Sequence, residues 1–538
     1  MKKTLLLTCL SAALFAGNAL AATIIPVNAD PVGQGLNDPT PLKPAGGNPG
    51  TSIGEQRRIA YQFAAELWGA VLQSDAEIRV QASFQPLRCD ASGTVLGSAG
   101  AGAIYVLTEP GQPDTLYHGA LADSLVGFDI QNGAGVDVVS RFNASFGLTN
   151  PDGSPCSPGS GWYYGLDGNT PSGQTNFLNV VMHEIAHGLG FSGFGNVSTG
   201  APLAGFQDIY SRFVYDNNSQ SPWYQLTNAG RVAATIGGNL AFRGPQVTAE
   251  VPLVLDDKVA LRASGSVVGN FNYGTAAFGP AASPANFNGS VVLVNDGSAL
   301  PSQGCAASPA GAYAGLIALV DRGSCAFEIK ARFAQDAGAT AVLIANNAPG
   351  GPPAMAADAT VEATVPTLSV TQADGAAIKA GLPGVTLALA LVPGELQGAD
   401  PNGFALLFAP NPVQPGSSFS HYDTSTSPNA LMEPAITASL AANYNLDLTP
   451  ALFRDEGWTL NQGNAMIGTC DTGIPVVEEG GLIIGANVQA QSNICKITAR
   501  NHGAYQSCMA QYTKRLRSGG LISGSEGGQI TSCASNNR

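Results

Sequence analysis

Charge is scarce in this chain: only 12% of its 538 residues are Asp, Glu, Lys or Arg, about half the usual share. That shortage argues against a coiled coil, which depends on charged flanks. Basic residues are the rarer kind, 24 against 38 acidic for a net charge of −14, and this disfavours nucleic acid and anionic membrane as partners. Beyond the first two dozen residues no apolar run is long enough to cross a bilayer, which excludes a helical membrane span there. Histidine is scarcer still, with five in all. What is abundant is glycine and proline, 67 and 35 respectively, nearly one residue in five. With 44% apolar residues the chain is neither disordered nor fibrous but rich in turns and strands, and its length implies two to four domains.

The first residues combine Met1-Lys2-Lys3, a short apolar stretch from Leu5 to Ala16 and Ala19-Leu20-Ala21, the pattern of a secretory signal peptide. Its removal would leave 22 basic against 38 acidic residues, a net −16, and would take Cys9 from the nine cysteines, leaving eight. An even number of cysteines in a chain bound for an oxidising compartment reads as four disulfides among Cys89, Cys156, Cys305, Cys325, Cys470, Cys495, Cys508 and Cys533. Cys89 and Cys156, the only two before the middle of the chain, are expected to pair. The last four are expected to pair among themselves in a small stapled C-terminal region. A secreted or periplasmic monomer is expected, with no integral membrane segment once the signal is gone.

Residues 22–53, rich in Pro, Gly and Asn, read as an extended leader over the surface. Ile59, Phe63, Leu67 and Val71 recur every four residues and predict an amphipathic helix over 54–73, packed on a strand over 77–84. A second strand is expected over 136–143. Between about 265 and 392, apolar runs at 290–294, 315–320, 339–345, 365–370 and 385–392 alternate with helical segments near 326–335 and 372–380, the pattern of a self-contained α/β module.

Residues 177–189 are apolar and helical, with Gly188 and Gly190 expected to end the helix in the left-handed conformation. Inside lies His183-Glu184-Ile185-Ala186-His187. Positions four apart share one helical face, so both imidazoles can bind one metal ion with Glu184 beside it. With so few histidines, such a motif arises by chance on the order of once in a thousand chains. A catalytic zinc site needs a third protein ligand. His118 and His502 read as structural histidines. His421 stands in Ser420-His421-Tyr422-Asp423, ahead of a tight turn at Leu431-Met432-Glu433-Pro434. Asp208 is the rival third ligand.

The segments His183 to Phe191, Ser420 to Asp423, Asn429 to Pro434 and Arg454-Asp455-Glu456-Gly457-Trp458 resemble the leishmanolysin branch of the metzincin zinc endopeptidases. The resemblance implies an α+β fold with a mixed sheet and an active-site helix. It also implies one catalytic Zn2+ on His183, His187 and His421, with Glu184 as general base, Gly190 as the glycine turning the chain out of the helix, and Met432 as the methionine of the turn beneath the metal. Most metzincins place the third histidine three residues after that glycine; here that position is Gly193, and a much larger insertion separates them. The insertion, with Arg322-Gly323-Ser324-Cys325, Asn346-Asn347 and Val365-Pro366-Thr367-Leu368, is similar to a protease-associated (PA) domain, which implies a Cys305–Cys325 disulfide.

The expected division is a signal peptide (1–21), the leader (22–53), a first protease segment with the zinc helix (54–264), the inserted α/β PA domain (265–395), a second protease segment with the third ligand and the methionine turn (396–462), and the cysteine-rich C-terminal region (463–538). The implied activity is hydrolysis of peptide bonds in a protein or peptide substrate. The competing expectation is a secreted PA-domain binding protein with a vestigial zinc site, against which the intact Glu184 speaks.

Overall fold

The computed structural model describes residues 21–90, 93–358, 360–437 and 439–537. The expected signal peptide therefore lies, but for Ala21, outside the described residues. The chain is mixed α/β and forms two compact units: residues 256–397 make one, and the segments before and after them make the other.

The larger unit is built on a four-stranded sheet. Its strands are β1 (Thr23–Asn28), β2 (Glu77–Gln85), β3 (Gly97–Ala101) and β4 (Val138–Asn143), in the order β1-β2-β4-β3. β1 and β4 run parallel to β2, while β3 lies antiparallel to β4 at the sheet's edge. The segment expected as a surface leader thus contributes a sheet strand, because Ile24 and Leu36 find apolar cover and are buried. Helix α1 (Ile53–Val71) starts at Ser52, whose hydroxyl accepts from Glu55 N, the usual way to satisfy a first-turn donor. Its Phe63, Leu67 and Val71 are fully buried, as are Ile78, Val80 and Ala82 on alternate positions of β2; periods of 3.6 and 2 bury one face of each element.

Helix α2 (Phe177–Leu189) carries the histidine motif and is buried throughout. Asn176 caps it by accepting from Asn179 N. Gly188 lies inside the helix rather than ending it in the left-handed conformation; glycine is required there where α2 crosses the sheet, since a Cβ would stand 2.1 Å from Val138 Cγ1. Gly190 departs from expectation. Its φ of 163° is extended rather than left-handed, and glycine is needed instead for space, because a Cβ would stand 2.1 Å from Glu456 Oε2.

The smaller unit is an eight-stranded sheet of β5 (Asp257–Gly265), β6 (Gly269–Phe271), β7 (Gly274–Thr275), β8 (Asn288–Leu293), β9 (Ile317–Asp321), β10 (Ala341–Ala345), β11 (Thr367–Val370) and β12 (Val385–Leu396), in the order β6-β5-β12-β8-β9-β10-β11-β7. Strands β9, β10 and β11 run parallel; helix α3 (Phe327–Asp336) connects β9 to β10, and helix α4 (Gln372–Ala380) leads from β11 into β12. Those strands read as continuous apolar runs because both faces are covered. Gln397 N donates to Asp256 O at 2.8 Å, so the chain leaves and re-enters at one point.

Past that point α5 (Thr449–Glu456) and three further helices return to the larger unit: α6 (Ile484–Thr498), α7 (His502–Ser518) and α8 (Gly524–Asn536). The C-terminal helices do not form a compact unit of their own. Asn493 Nδ2 donates to Glu66 Oε2 on α1 at 2.7 Å, and the whole segment belongs to the larger unit. Four disulfides join Cys89 to Cys156, Cys305 to Cys325, Cys470 to Cys533 and Cys495 to Cys508. Among the described residues no helix is long and apolar enough to cross a membrane.

Candidate metal centre

His183 and His187 lie one turn apart on α2, and His421 reaches them from 234 residues further along the chain. His421 is fixed by short-range backbone bonds: its carbonyl accepts from Phe408 N, and Tyr422 N donates to Met432 O. The three Nε2 atoms stand 3.1–3.2 Å from one another. Among the described residues they are the one group of three or more His, Cys, Asp or Glu side chains close enough to hold a metal ion.

The other ring nitrogens decide the protonation. His183 Nδ1 lies 2.7 Å from Leu431 O, His187 Nδ1 2.7 Å from Phe191 O, and His421 Nδ1 2.8 Å from Ser417 O. A carbonyl only accepts, so each Nδ1 carries the hydrogen, and a neutral ring then has a bare lone pair on Nε2. All three rings are buried. Burial pushes His183 down to about 4 and His421 down to about 3. His187 is driven well below the ordinary histidine range by burial and by its two neighbours. Three bare lone pairs thus converge where they would repel one another. A cation removes that repulsion, and a tetrahedral zinc shell with bonds of about 2.0–2.1 Å has ligand–ligand edges of about 3.4 Å. The donor set fits zinc, and the carbonyl anchors are the outer partners that orient metal-binding imidazoles.

Glu184 is buried, and its Oε2 has no hydrogen-bond partner. Burial raises its carboxyl to about 8; a cation beside it would draw it back toward the ionised form. It faces edge strand β3, where a Cβ on Gly97 would stand 2.6 Å from Glu184 Oε1. Met432 is fully buried in the turn whose Leu431 anchors His183. Leu431 is held in turn by Asp447, whose Oδ2 accepts from Leu431 N at 2.5 Å.

The rival residues lie elsewhere. Asp208 caps a short helix, accepting from Ser211 N and Oγ and from Phe194 N. His118 Nε2 bonds Ser192 Oγ at 2.8 Å, and His502 Nε2 faces Ser535 O at 3.2 Å. Sequence reasoning did not reach Gly97, Asp447 or the three anchoring carbonyls. Carbonyl acceptors belong to the backbone and leave no mark in residue identity.

Glu456 behind Gly190 is 2% exposed, and neither oxygen has a partner. Burial, with Asp208 and Asp455 nearby, raises its pKa well above the ordinary value. A raised carboxyl costs stability as pH climbs above the unfolded pKa of about 4.3, and costs nothing below it. Glu456→Met should therefore stabilise the protein by about 1–3 kcal/mol at pH 7, with the gain shrinking toward pH 4. Thermal unfolding of both proteins across that range checks this; a gain that grows on acidification would contradict the sign.

The PA domain family matches residues 287–378, so the smaller unit contains a PA domain. No curated protein matches the chain. Among solved structures, a zinc aminopeptidase from Bacillus subtilis is similar at 21% identity with a TM-score of 0.19, over 28% of this chain and 37% of its own. The aminopeptidase from Aneurinibacillus sp. strain AM-1 is similar at 20% identity and 0.17, over 27% and 36%. The psychrophilic subtilisin-like protease Apa1 from Pseudoalteromonas sp. AS-11 is similar at 22% and 0.19, over 26% and 34%. The chain spans little more than a third of the length of these proteins, and at such TM-scores the likeness carries no argument about the metal centre.

Proposed function

We propose that this chain is a zinc-dependent endopeptidase of the leishmanolysin-like metzincin kind, exported to an oxidising compartment. The observation that carries the reading is the convergence of three neutral imidazole lone pairs, each ring anchored through its other nitrogen. His183, His187 and His421 would hold one zinc ion. When bound, that ion polarises the scissile carbonyl and lowers the pKa of a water molecule to near 7.

The protein's own groups do the rest. Glu184 takes the proton of the attacking water on its carboxylate and returns it to the leaving amine. Its buried setting and lack of a competing partner keep it free for that exchange. Edge strand β3 pairs with β4 on one side only, so its other side offers unpaired backbone groups next to Glu184. An extended peptide can add there as a further strand, held by its main chain rather than by a free terminus. That mode of binding favours internal cleavage over removal of N-terminal residues. The four disulfides fit export.

The purified full-length protein should hydrolyse a denatured protein substrate in the presence of serine and cysteine protease inhibitors, stop with a chelator, and recover with added zinc. Mass spectrometry of the products should show internal cuts. Release of single N-terminal residues only would replace the endopeptidase reading with an aminopeptidase one. Zinc binding without hydrolysis of any substrate would favour the PA-domain binding protein.

A further inference from the structure

The smaller unit holds a lysine in an unusual place. Lys330 on α3 is fully buried, and among the described residues no carboxylate lies within ion-pair distance of it. Its Nζ donates to Gln303 O at 2.7 Å and lies 3.3 Å from Cys305 Sγ, half of the Cys305–Cys325 disulfide. The charged groups that act on it from a distance are Asp296 and Asp321. Asp321 is already engaged by Lys379 and Ser302, and Asp296 by the backbone amides of Ser298 and Ala306. A buried ammonium without a direct anionic partner is costly. A thiolate at Cys305 would supply one.

This bridge also differs from the other three in access. Cys156, Cys495 and Cys533 are each fully buried, so every other disulfide has one closed sulfur. Cys305 and Cys325 are both half-buried. They tie the long loop between β8 and β9 to the segment leading into α3, and the same loop is held by Gln303 accepting from Ser324 N. Neither cysteine lies on a strand of the sheet.

We propose that Cys305–Cys325 is a thiol-reducible switch in the PA unit, opened by a dithiol, with Lys330 stabilising Cys305 as the leaving thiolate. A thiolate of the dithiol attacks Cys325 Sγ and forms a mixed disulfide there, while the Cys305–Cys325 bond breaks and its electron pair leaves on Cys305. The second thiol of the reductant then attacks its own sulfur in the mixed disulfide and releases Cys325, which takes up a proton. The dithiol is oxidised to a disulfide by two electrons and the protein bridge is reduced by two. Exchange is faster when the leaving thiol is more acidic, and a neighbouring cation makes it so. The proposal does not depend on the metal centre.

The test treats the folded full-length chain briefly with dithiothreitol, alkylates it, and maps the eight cysteines of the four bridges by mass spectrometry. Cys305 and Cys325 should be labelled well before the other six. Lys330→Met, which keeps the stem and removes the charge, should slow opening of this bridge about three- to tenfold and leave the other three unchanged. A reading that needs no variant comes from the reduced wild-type protein. Alkylation of Cys305 should be half-maximal below the ordinary thiol value of about 8.5, with Cys325 near it. Four bridges opening together, or Cys305 titrating at or above the ordinary value, would overturn the proposal; so would an unchanged opening rate in a folded Lys330→Met protein.

Discussion

Glu184→Gln yields a folded, zinc-loaded protein that hydrolyses a casein-type substrate at least about a hundredfold more slowly than the wild type. The substitution keeps the size of the side chain, and α2 is capped and packed by other residues, Asn176 at its start and Gly188 against Val138. The three imidazoles keep their carbonyl anchors, none of which involves Glu184. What is lost is a group able to accept and return a proton. An amide cannot, so the loss falls on the chemical step and appears in kcat with little change in KM. Near-normal turnover by the variant, with metal bound, would remove Glu184 from the mechanism.

His421→Ala abolishes activity by a different route, through loss of the metal. Losing an outer partner of a metal-bound histidine already costs 10- to 100-fold in affinity, so losing one of three direct ligands costs at least about that much. The residue is also fastened for the purpose. Its backbone pairs with Phe408, its Nδ1 is held by Ser417, and Tyr422 beside it bonds the methionine turn at Met432. The intervening 233 residues are little obstacle. The inserted unit begins and ends at Asp256 and Gln397, joined by a backbone hydrogen bond, and loop closure costs grow only slowly with length. His118→Ala should keep its metal, since His118 is bonded to Ser192 rather than turned to the centre.

The sequence disclosed helix α2 almost to the residue, because an apolar run, a two-histidine motif and closing glycines coincide over 177–190. The long helix α1 was equally legible from its fourfold spacing. The third histidine, His421, was reached by elimination against His118 and His502 and through resemblance, since no local periodicity connects residues 187 and 421. Gly190 follows the last residue of the helix, as expected, but not in the left-handed conformation: its glycine serves the close approach of Glu456, a neighbour that only tertiary packing supplies. The strand at 23–28 was hidden because Pro26 and the glycine-rich residues after it mask a short apolar run. The order of pairing among Cys470, Cys495, Cys508 and Cys533 stayed open, because four cysteines allow three connectivities and spacing alone does not choose among them.

The measurement that bears most directly on the three-histidine centre is metal content per chain, by plasma mass spectrometry, after exhaustive dialysis against metal-free buffer. Wild type, Glu184→Gln and His118→Ala should each retain about one zinc per chain, and His421→Ala almost none. One zinc per chain in a folded His421→Ala protein, or two in the wild type, would contradict the assignment of a single ion to His183, His187 and His421.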